Sequence, residues 1–166
     1  LACTTEYAAF HVAAAGLGGG TLAQKKAAVL AAMNVTMTRV NFCFERDMAF
    51  TLVLIANNEN IINITSDNYD NNNTNNILLT QNQTEIDNII GDANYDIGHV
   101  ASTGGGGVAT PQSPCAPGSK ARGVTGLDSP VGDQYDIDFV AHEMGHQFGC
   151  SHTFSGDSGN CGGGNR

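Results

Sequence analysis

Three histidines and one glutamate near the C-terminus have the types and spacing needed to bind and use a metal ion. His142 and His146 are four residues apart, so on a helix both imidazoles lie on one face and can bind the same ion. Gly149 follows one turn later, where a glycine with positive φ would end the helix and let His152 return as a third ligand. Glu143 is turned aside from the metal, which suits a general base.

The complete pattern, H-E-x-x-H-x-x-G-x-x-H, is much more specific than its first five positions. The competing interpretation is a buried helix whose histidines only satisfy hydrogen bonds. An apolar stripe on the face opposite the histidines favours the metal site, because the helix can then bury one face and present the other to a cleft. The stripe consists of Ile137, Val140, Met144 and Phe148. Asp133 is predicted to be the N-cap of this helix.

The rest of the chain has the pattern of an α/β domain with alternating elements. Apolar runs predict strands, and a period of about 3.6 residues predicts helices. The predicted strands cover residues 4–12, 50–56 and 61–64, and the predicted helices cover residues 21–41 and 84–90. Most of the Asn-rich tract at 57–88 is predicted to be surface loop. Its Asn and Asp oxygens could bind Ca²⁺, although no EF-hand spacing is present.

Composition limits the class of protein and its partners. With 166 residues and 41% hydrophobic content, the chain can form one domain around one core. No continuous apolar run reaches the ~18 residues of a membrane span. The net charge is −9 and the basic residues are scattered, so we expect neither a membrane nor nucleic acid as a partner. A surface rich in Asn, Gly, Thr and Ser, with only 14% charged residues, is typical of exported proteins, and we expect a secreted protein.

Five cysteines without a C-x-x-C pair favour disulfides in an oxidising compartment over a thiolate metal site. They are Cys3, Cys43, Cys115, Cys150 and Cys161. One is therefore free or pairs outside the sequence. Cys150 and Cys161 bracket the loop that carries His152, so their bridge is one of the possible pairings. The two remaining histidines, His11 and His99, are expected to be packed or surface residues and not metal ligands.

The zinc motif, with residues 95–103, the glycine run at 104–107 and residues 120–126, resembles the metzincin clan of zinc endopeptidases. Within that clan it resembles the reprolysin-like (adamalysin-like) branch of many bacterial proteins. The resemblance implies a metzincin-like N-terminal subdomain: a twisted, mostly parallel sheet with an antiparallel edge strand, a long backing helix and a zinc-binding helix. It also implies that substrate lies extended along the edge strand. The implied substrate-binding residues are Gly98, His99, Val100, Ala101, Ser102 and Thr103.

Two features depart from the reprolysin-like pattern. After His152 the chain continues with Thr153-Phe154, an ending that is similar to the pappalysin branch. The clan also carries a methionine turn beyond the third histidine, whereas the last methionine here is Met144. We therefore expect residues 1–166 to be a single catalytic domain truncated after the zinc motif. Its C-terminal remainder, with the methionine turn, is then a further partner.

The resemblance implies a secreted zinc endopeptidase that hydrolyses extended protein or peptide substrates. One Zn²⁺ held by the three histidines would activate water, with Glu143 as general base. Two alternatives stay open. One is a non-catalytic binding module stabilised by zinc, and the other is a zinc hydrolase that acts on small amides.

Overall fold

A sheet of four short strands organises the fold in the computed structural model of the chain, which describes residues 1–71 and 76–152. The strands are β1 (Ala2–Cys3), β2 (Val100–Ser102), β3 (Gly106–Ala109) and β4 (Gly123–Gly126). Their order in the sheet is β1-β2-β4-β3. The first three in that order are parallel, and β3 pairs antiparallel with β4. The fold is therefore mixed α/β with a mostly parallel sheet, as the sequence predicts.

Three of the helices lie between β1 and β2 in the sequence, and the other two follow β4. They are α1 (Thr5–Ala14), α2 (Leu22–Met48), α3 (Asn76–Ile89), α4 (Gly132–Tyr135) and α5 (His142–Gln147). A π-helical stretch, Asp136–Ala141, joins α4 to α5 without a break, and we call residues 132–147 the site helix. Two 3₁₀ turns, Asn58–Ile61 and Asp92–Asn94, lie in the connections.

The two faces of the sheet pack against different helices. Successive residues of a strand point to opposite faces, so neighbours along β1 and β2 belong to different clusters. Cys3 and Ala101 face the larger core, which α1, α2 and the site helix complete. Ala2 and Val100 face a second core built largely on α3. The site helix thus lies directly on one face of the sheet.

Helix α2 begins where the sequence predicts and packs against the site helix. Thr21 caps it through a capping box: its Oγ1 accepts from the Gln24 N–H at 3.3 Å, and Gln24 Oε1 accepts from the Thr21 N–H at 2.9 Å. By length and composition alone, this helix is long and apolar enough to cross a membrane. Its buried residues nevertheless belong to the larger core, as in the core helix of a globular domain.

The predicted first strand at residues 4–12 is wrong, because most of that segment is helix α1. Thr4 is its N-cap, with Oγ1 accepting from the Tyr7 N–H at 3.3 Å. The buried positions Tyr7, Ala8, His11 and Val12 have the spacing of one helical face. The strand that precedes the helix is only two residues long.

The predicted strand at residues 50–56 is also wrong. The amide of Asn41 satisfies both backbone groups of Leu52, at 2.8 Å each, so this residue bonds to a helix instead of to a strand. Val53 is 82% exposed, which excludes a buried strand. At residues 61–64 the sheet gains only one isolated bridge, between Cys3 and Ile62. The predicted helix at 84–90 forms the end of the longer α3.

Candidate metal centre

The site helix begins differently from the prediction. Val131 occupies the N-cap position, and Gly132 has φ of 77°. Asp133 does not cap the helix, because its carboxylate pairs with exposed Arg39 of α2 at 2.8 Å. One turn later, buried Asp136 accepts a hydrogen bond from Thr36 Oγ1 at 2.7 Å, where the π-helical stretch begins. Two bonds to α2 therefore fix the first half of the site helix.

The apolar stripe of the site helix is buried where the sequence predicts. Val140 and Met144 are 1% and 3% exposed, and both belong to the larger core. Ile137 and Phe148 are half-buried at the two ends of the stripe. The opposite face carries His142, which is exposed. The helix therefore buries one side and presents the other, as metal binding requires.

The structure brings His142, His146 and His152 together, and we call them the histidine triad. Their Nε2 atoms form a nearly regular triangle, with sides of 3.0 Å (142 to 152), 3.0 Å (146 to 152) and 3.1 Å (146 to 142). Ligand nitrogens on a tetrahedral zinc ion with Zn–N bonds of 2.0–2.1 Å are about 3.3 Å apart. The donor type, number and spacing of the triad therefore fit zinc.

The surroundings of His142 favour its neutral form, and a hydrogen bond orients His146. Desolvation lowers the pKa of His142, and the positive charges that His146 and His152 would carry lower it further. His146 Nδ1 donates to the Cys150 carbonyl oxygen at 2.6 Å, and in this tautomer its Nε2 keeps a free lone pair. Neutral imidazoles with their Nε2 atoms converging are the form in which histidine binds a metal.

The turn after the site helix delivers His152, as the sequence predicts. Gly149 has φ of 92°. The Cys150 N–H donates to the Gly145 carbonyl at 3.0 Å and the Gly149 N–H donates to the His146 carbonyl at 2.8 Å, which is a Schellman ending. The chain then reverses, and His152 meets the two helical histidines.

Glu143 lies beside the triad, between the site helix and strand β3. Its side chain is buried, at 8% exposed, and it packs on Gly107. Desolvation raises the pKa of Glu143, while a positive charge on His146 would lower it. The carboxyl group is therefore held at the boundary between the triad and the edge of the sheet.

The predicted edge strand at Gly98–Thr103 is wrong. The strand inside that range, β2, lies between β1 and β4, with Val100 in register with Ala2 on one side and Val124 on the other. Its backbone is paired on both sides and cannot accept a further strand. The antiparallel edge is β3, which pairs with β4 alone in the described part of the chain. Strand order depends on pairing between residues that are distant in the sequence. The sequence therefore indicated a hairpin-like glycine segment but not its position in the sheet.

The remaining predictions have mixed outcomes. His99 is a packed residue, as expected, and burial lowers its pKa to about 4. In the described part of the chain, Cys3, Cys43, Cys115 and Cys150 are free thiols. The proposed partner Cys161 and the Thr153-Phe154 ending lie outside the described residues. Apart from the triad, the described ranges contain no group of three His, Cys, Asp or Glu side chains arranged for a metal, so calcium has no support.

Sequence reasoning missed two residues of this region. Gly107 matters because Glu143 packs on it, and Gln147 matters because its side chain is fully buried beneath the triad. Their partners are distant in the sequence. The sequence offered one weak signal: Gln147 is four positions after Glu143 and therefore lies on the same helical face. The structure places that face against the sheet.

Comparison with known families agrees with this geometry. The family described as metallo-peptidase family M12B, reprolysin-like, matches residues 30–153, which is more than half of the chain. The matched range runs from α2 to the residue after the triad, so it includes every residue of the candidate site. No curated protein matches the chain.

Proposed function

The chain belongs to the reprolysin-like metallopeptidases of family M12B and is therefore a hydrolase of peptide bonds in proteins or peptides; from this we propose that it is a zinc endopeptidase. The observation that carries the proposal is the triangle of three Nε2 atoms, 3.0–3.1 Å apart, beside a buried glutamate. His142, His146 and His152 would hold the ion. Three protein ligands are typical of catalytic zinc sites, whereas structural sites have four.

Each residue of the site then has a defined role. When bound, zinc supplies a Lewis acid and activates water. Glu143 accepts a proton from the attacking water and passes it to the amine nitrogen that leaves as the peptide bond breaks. Burial suits Glu143 to this role, because a raised pKa makes its carboxylate a stronger proton acceptor than an exposed glutamate.

The free side of β3 is the best candidate for holding substrate. This edge replaces the predicted substrate-binding range Gly98–Thr103, because the strand in that range, β2, lies inside the sheet. An extended peptide could pair with the backbone groups of β3 that no other described strand uses, as in strand addition. The contact between Gly107 and Glu143 supports this role, because a peptide on that edge would lie beside the base. Such pairing recognises main chain, so we expect modest sequence selectivity from this side of the cleft.

Secretion belongs to the same proposal. It rests on the low fraction of charged residues, 14%, and on the abundance of uncharged polar residues. Of the two alternative functions, the non-catalytic binding module explains fewer features of the site. A peptidase family, an accessible histidine triad and an adjacent carboxylate all favour hydrolysis.

A digest of mixed peptides tests the proposal. The zinc-loaded chain should cleave internal peptide bonds, a chelator should abolish cleavage, and added Zn²⁺ should restore it, as followed by mass spectrometry. Cleavage that persists in the metal-free chain would contradict the zinc requirement. Hydrolysis of small amides without any peptide cleavage would instead favour the alternative hydrolase.

A further inference from the structure

Gln147, the residue after the proposed ligand His146, is fully buried against the sheet, and both polar atoms of its amide group are hydrogen-bonded. The exposed fraction of its side chain is 0%. Its Nε2 donates to the Gly98 carbonyl at 3.0 Å and to Ser113 Oγ at 3.2 Å. Its Oε1 lies 2.8 Å from His99 Nδ1. One side chain therefore joins the site helix to the two residues that precede β2 and to the loop at 113.

These contacts define how His99 is oriented. A carbonyl only accepts, so the nitrogen of the Gln147 amide must face Gly98 and its oxygen must face the imidazole. His99 Nδ1 is then the donor. His99 Nε2 is left to accept from Thr125 Oγ1 of β4, at 2.9 Å. The chain of bonds thus runs from the site helix through His99, just before β2, to β4, with each partner used in a compatible role.

The sheet has a glycine where this amide lies. A β-carbon at Gly123 would be 2.5 Å from both Gln147 Cδ and His99 Nδ1. One turn earlier on the same helical face, Glu143 lies on Gly107 in the same way. Two glycines on neighbouring strands therefore let two polar side chains of the site helix approach the sheet closely.

The backbone of Gln147 is fixed as well. Its carbonyl oxygen accepts from the Ser113 N–H at 2.9 Å. Gln147 directly follows the ligand His146 and precedes the turn that leads to His152. A change in how this residue sits would therefore move two of the three ligands relative to Glu143.

We propose that Gln147 is a positioning residue that, with His99 and Ser113, holds the last turn of the site helix on the sheet so that the histidine triad converges. The proposal rests on the zinc site proposed above. It differs from a purely stabilising role in one respect: weakening these bonds should alter the metal site itself, and not only the stability of the fold.

A matched pair of buried glutamines separates the two roles. Gln83 of α3 also donates from Nε2, to Asp87 and to Tyr95, and its Oε1 accepts from the Ala121 N–H at 2.8 Å. It belongs to the α3 side of the sheet, away from the triad. Gln83→Leu is therefore a control that removes a comparable number of buried hydrogen bonds.

The test compares Gln147→Leu with Gln83→Leu in the full chain. The readouts are zinc affinity by chelator competition, the visible absorption spectrum of the Co²⁺-substituted chain and the thermal unfolding temperature. Both variants should unfold at lower temperature than wild type. Only Gln147→Leu should bind zinc about tenfold more weakly and change the Co²⁺ spectrum, because only it displaces ligands. Wild-type affinity and spectrum in a folded Gln147→Leu chain would overturn the proposal.

If Gln147→Leu does not fold, milder variants test the positioning role of Gln147. Ser113→Ala removes one acceptor, and it should weaken zinc binding by about two- to threefold. His99→Asn keeps a donor near the Gln147 amide, so its zinc affinity should lie closer to wild type than that of His99→Leu. Unchanged zinc affinity in Ser113→Ala together with equal affinities in the two His99 variants would overturn the positioning role. A wild-type chain that binds neither Zn²⁺ nor Co²⁺ would instead overturn the proposed function.

Discussion

Gly107 and Glu143 are in contact so close that no side chain fits between them. A β-carbon on Gly107 would be 2.5 Å from Glu143 Cγ and 2.8 Å from Oε1. The optimal separation between non-bonded carbon atoms is about 3.5–4.0 Å, and a contact of 2.5 Å is strongly repulsive, so the carboxyl group holds its position only while residue 107 is glycine. The edge strand of the sheet thus sets the place of Glu143, the proposed general base.

Gly107→Ala should lower peptide hydrolysis by about 10- to 100-fold, because the added methyl group pushes Glu143 away from its position beside the triad. Zinc content should stay near that of wild type, since the methyl group does not contact the three histidines. The measurements are kcat/KM on a peptide substrate and zinc by elemental analysis.

Gly105→Ala is the matched control for this variant. Gly105 lies in the bend just before β3, and a β-carbon there meets nothing within 4 Å. It should keep nearly wild-type activity. If the two variants have equal activity, the contact at Gly107 does not position the base.

The zinc motif was predictable because its geometry is local. Helical spacing aligns His142 with His146, and Gly149 has the positive φ that its position implies. The edge strand was not predictable, because β2 becomes internal only through its pairing with β1, whose residues lie 98 positions away. Likewise, nothing local indicates that Asn41 bonds to Leu52 in place of a strand neighbour.

The buried network beneath the triad was missed for the same reason. Gln147 is an unremarkable polar residue in the sequence, and its partners Gly98, His99 and Ser113 are 34 to 49 positions away. Only the position of the site helix on the sheet makes it a buried residue. Predicting it requires the strand order and the helix placement together.

The free energy of unfolding should decrease as the pH is lowered, because of His99. Burial lowers the pKa of folded His99 to about 4, below its ordinary value of 6.5, so the unfolded chain binds the proton more tightly. The stability that comes from keeping His99 neutral is fully present above pH 6.5. It is lost progressively as the pH falls from 6.5 towards 4. The loss in the free energy of unfolding is about 2–3 kcal/mol.

Urea unfolding of the zinc-free chain at pH 7 and pH 4.5 measures this effect. The zinc-free form is used because metal release would otherwise add its own pH dependence. His99→Asn should be less stable than wild type at pH 7 but should lose less stability on acidification. An identical pH dependence in both proteins would show that His99 does not cause it.

Removing any ligand of the triad should release most of the zinc at neutral pH. His142→Ala, His146→Ala and His152→Ala each leave two imidazoles, which bind the ion far more weakly than three. Elemental analysis after dialysis measures the remaining zinc. A tightly bound, stoichiometric zinc ion in the His152 variant would show that the third ligand is misassigned.

Glu143→Gln tests the central claim most directly, because it removes the base and keeps the shape of the side chain. The variant should retain about one zinc ion per chain, since Glu143 is not a ligand. Its rate of peptide hydrolysis should fall by about 10²–10⁴-fold, the usual contribution of a general base. The decisive measurement is kcat of the zinc-loaded variant against the zinc-loaded wild type. Loss of this size with zinc retained is the predicted result, and retention of more than about a tenth of the wild-type rate would contradict the account.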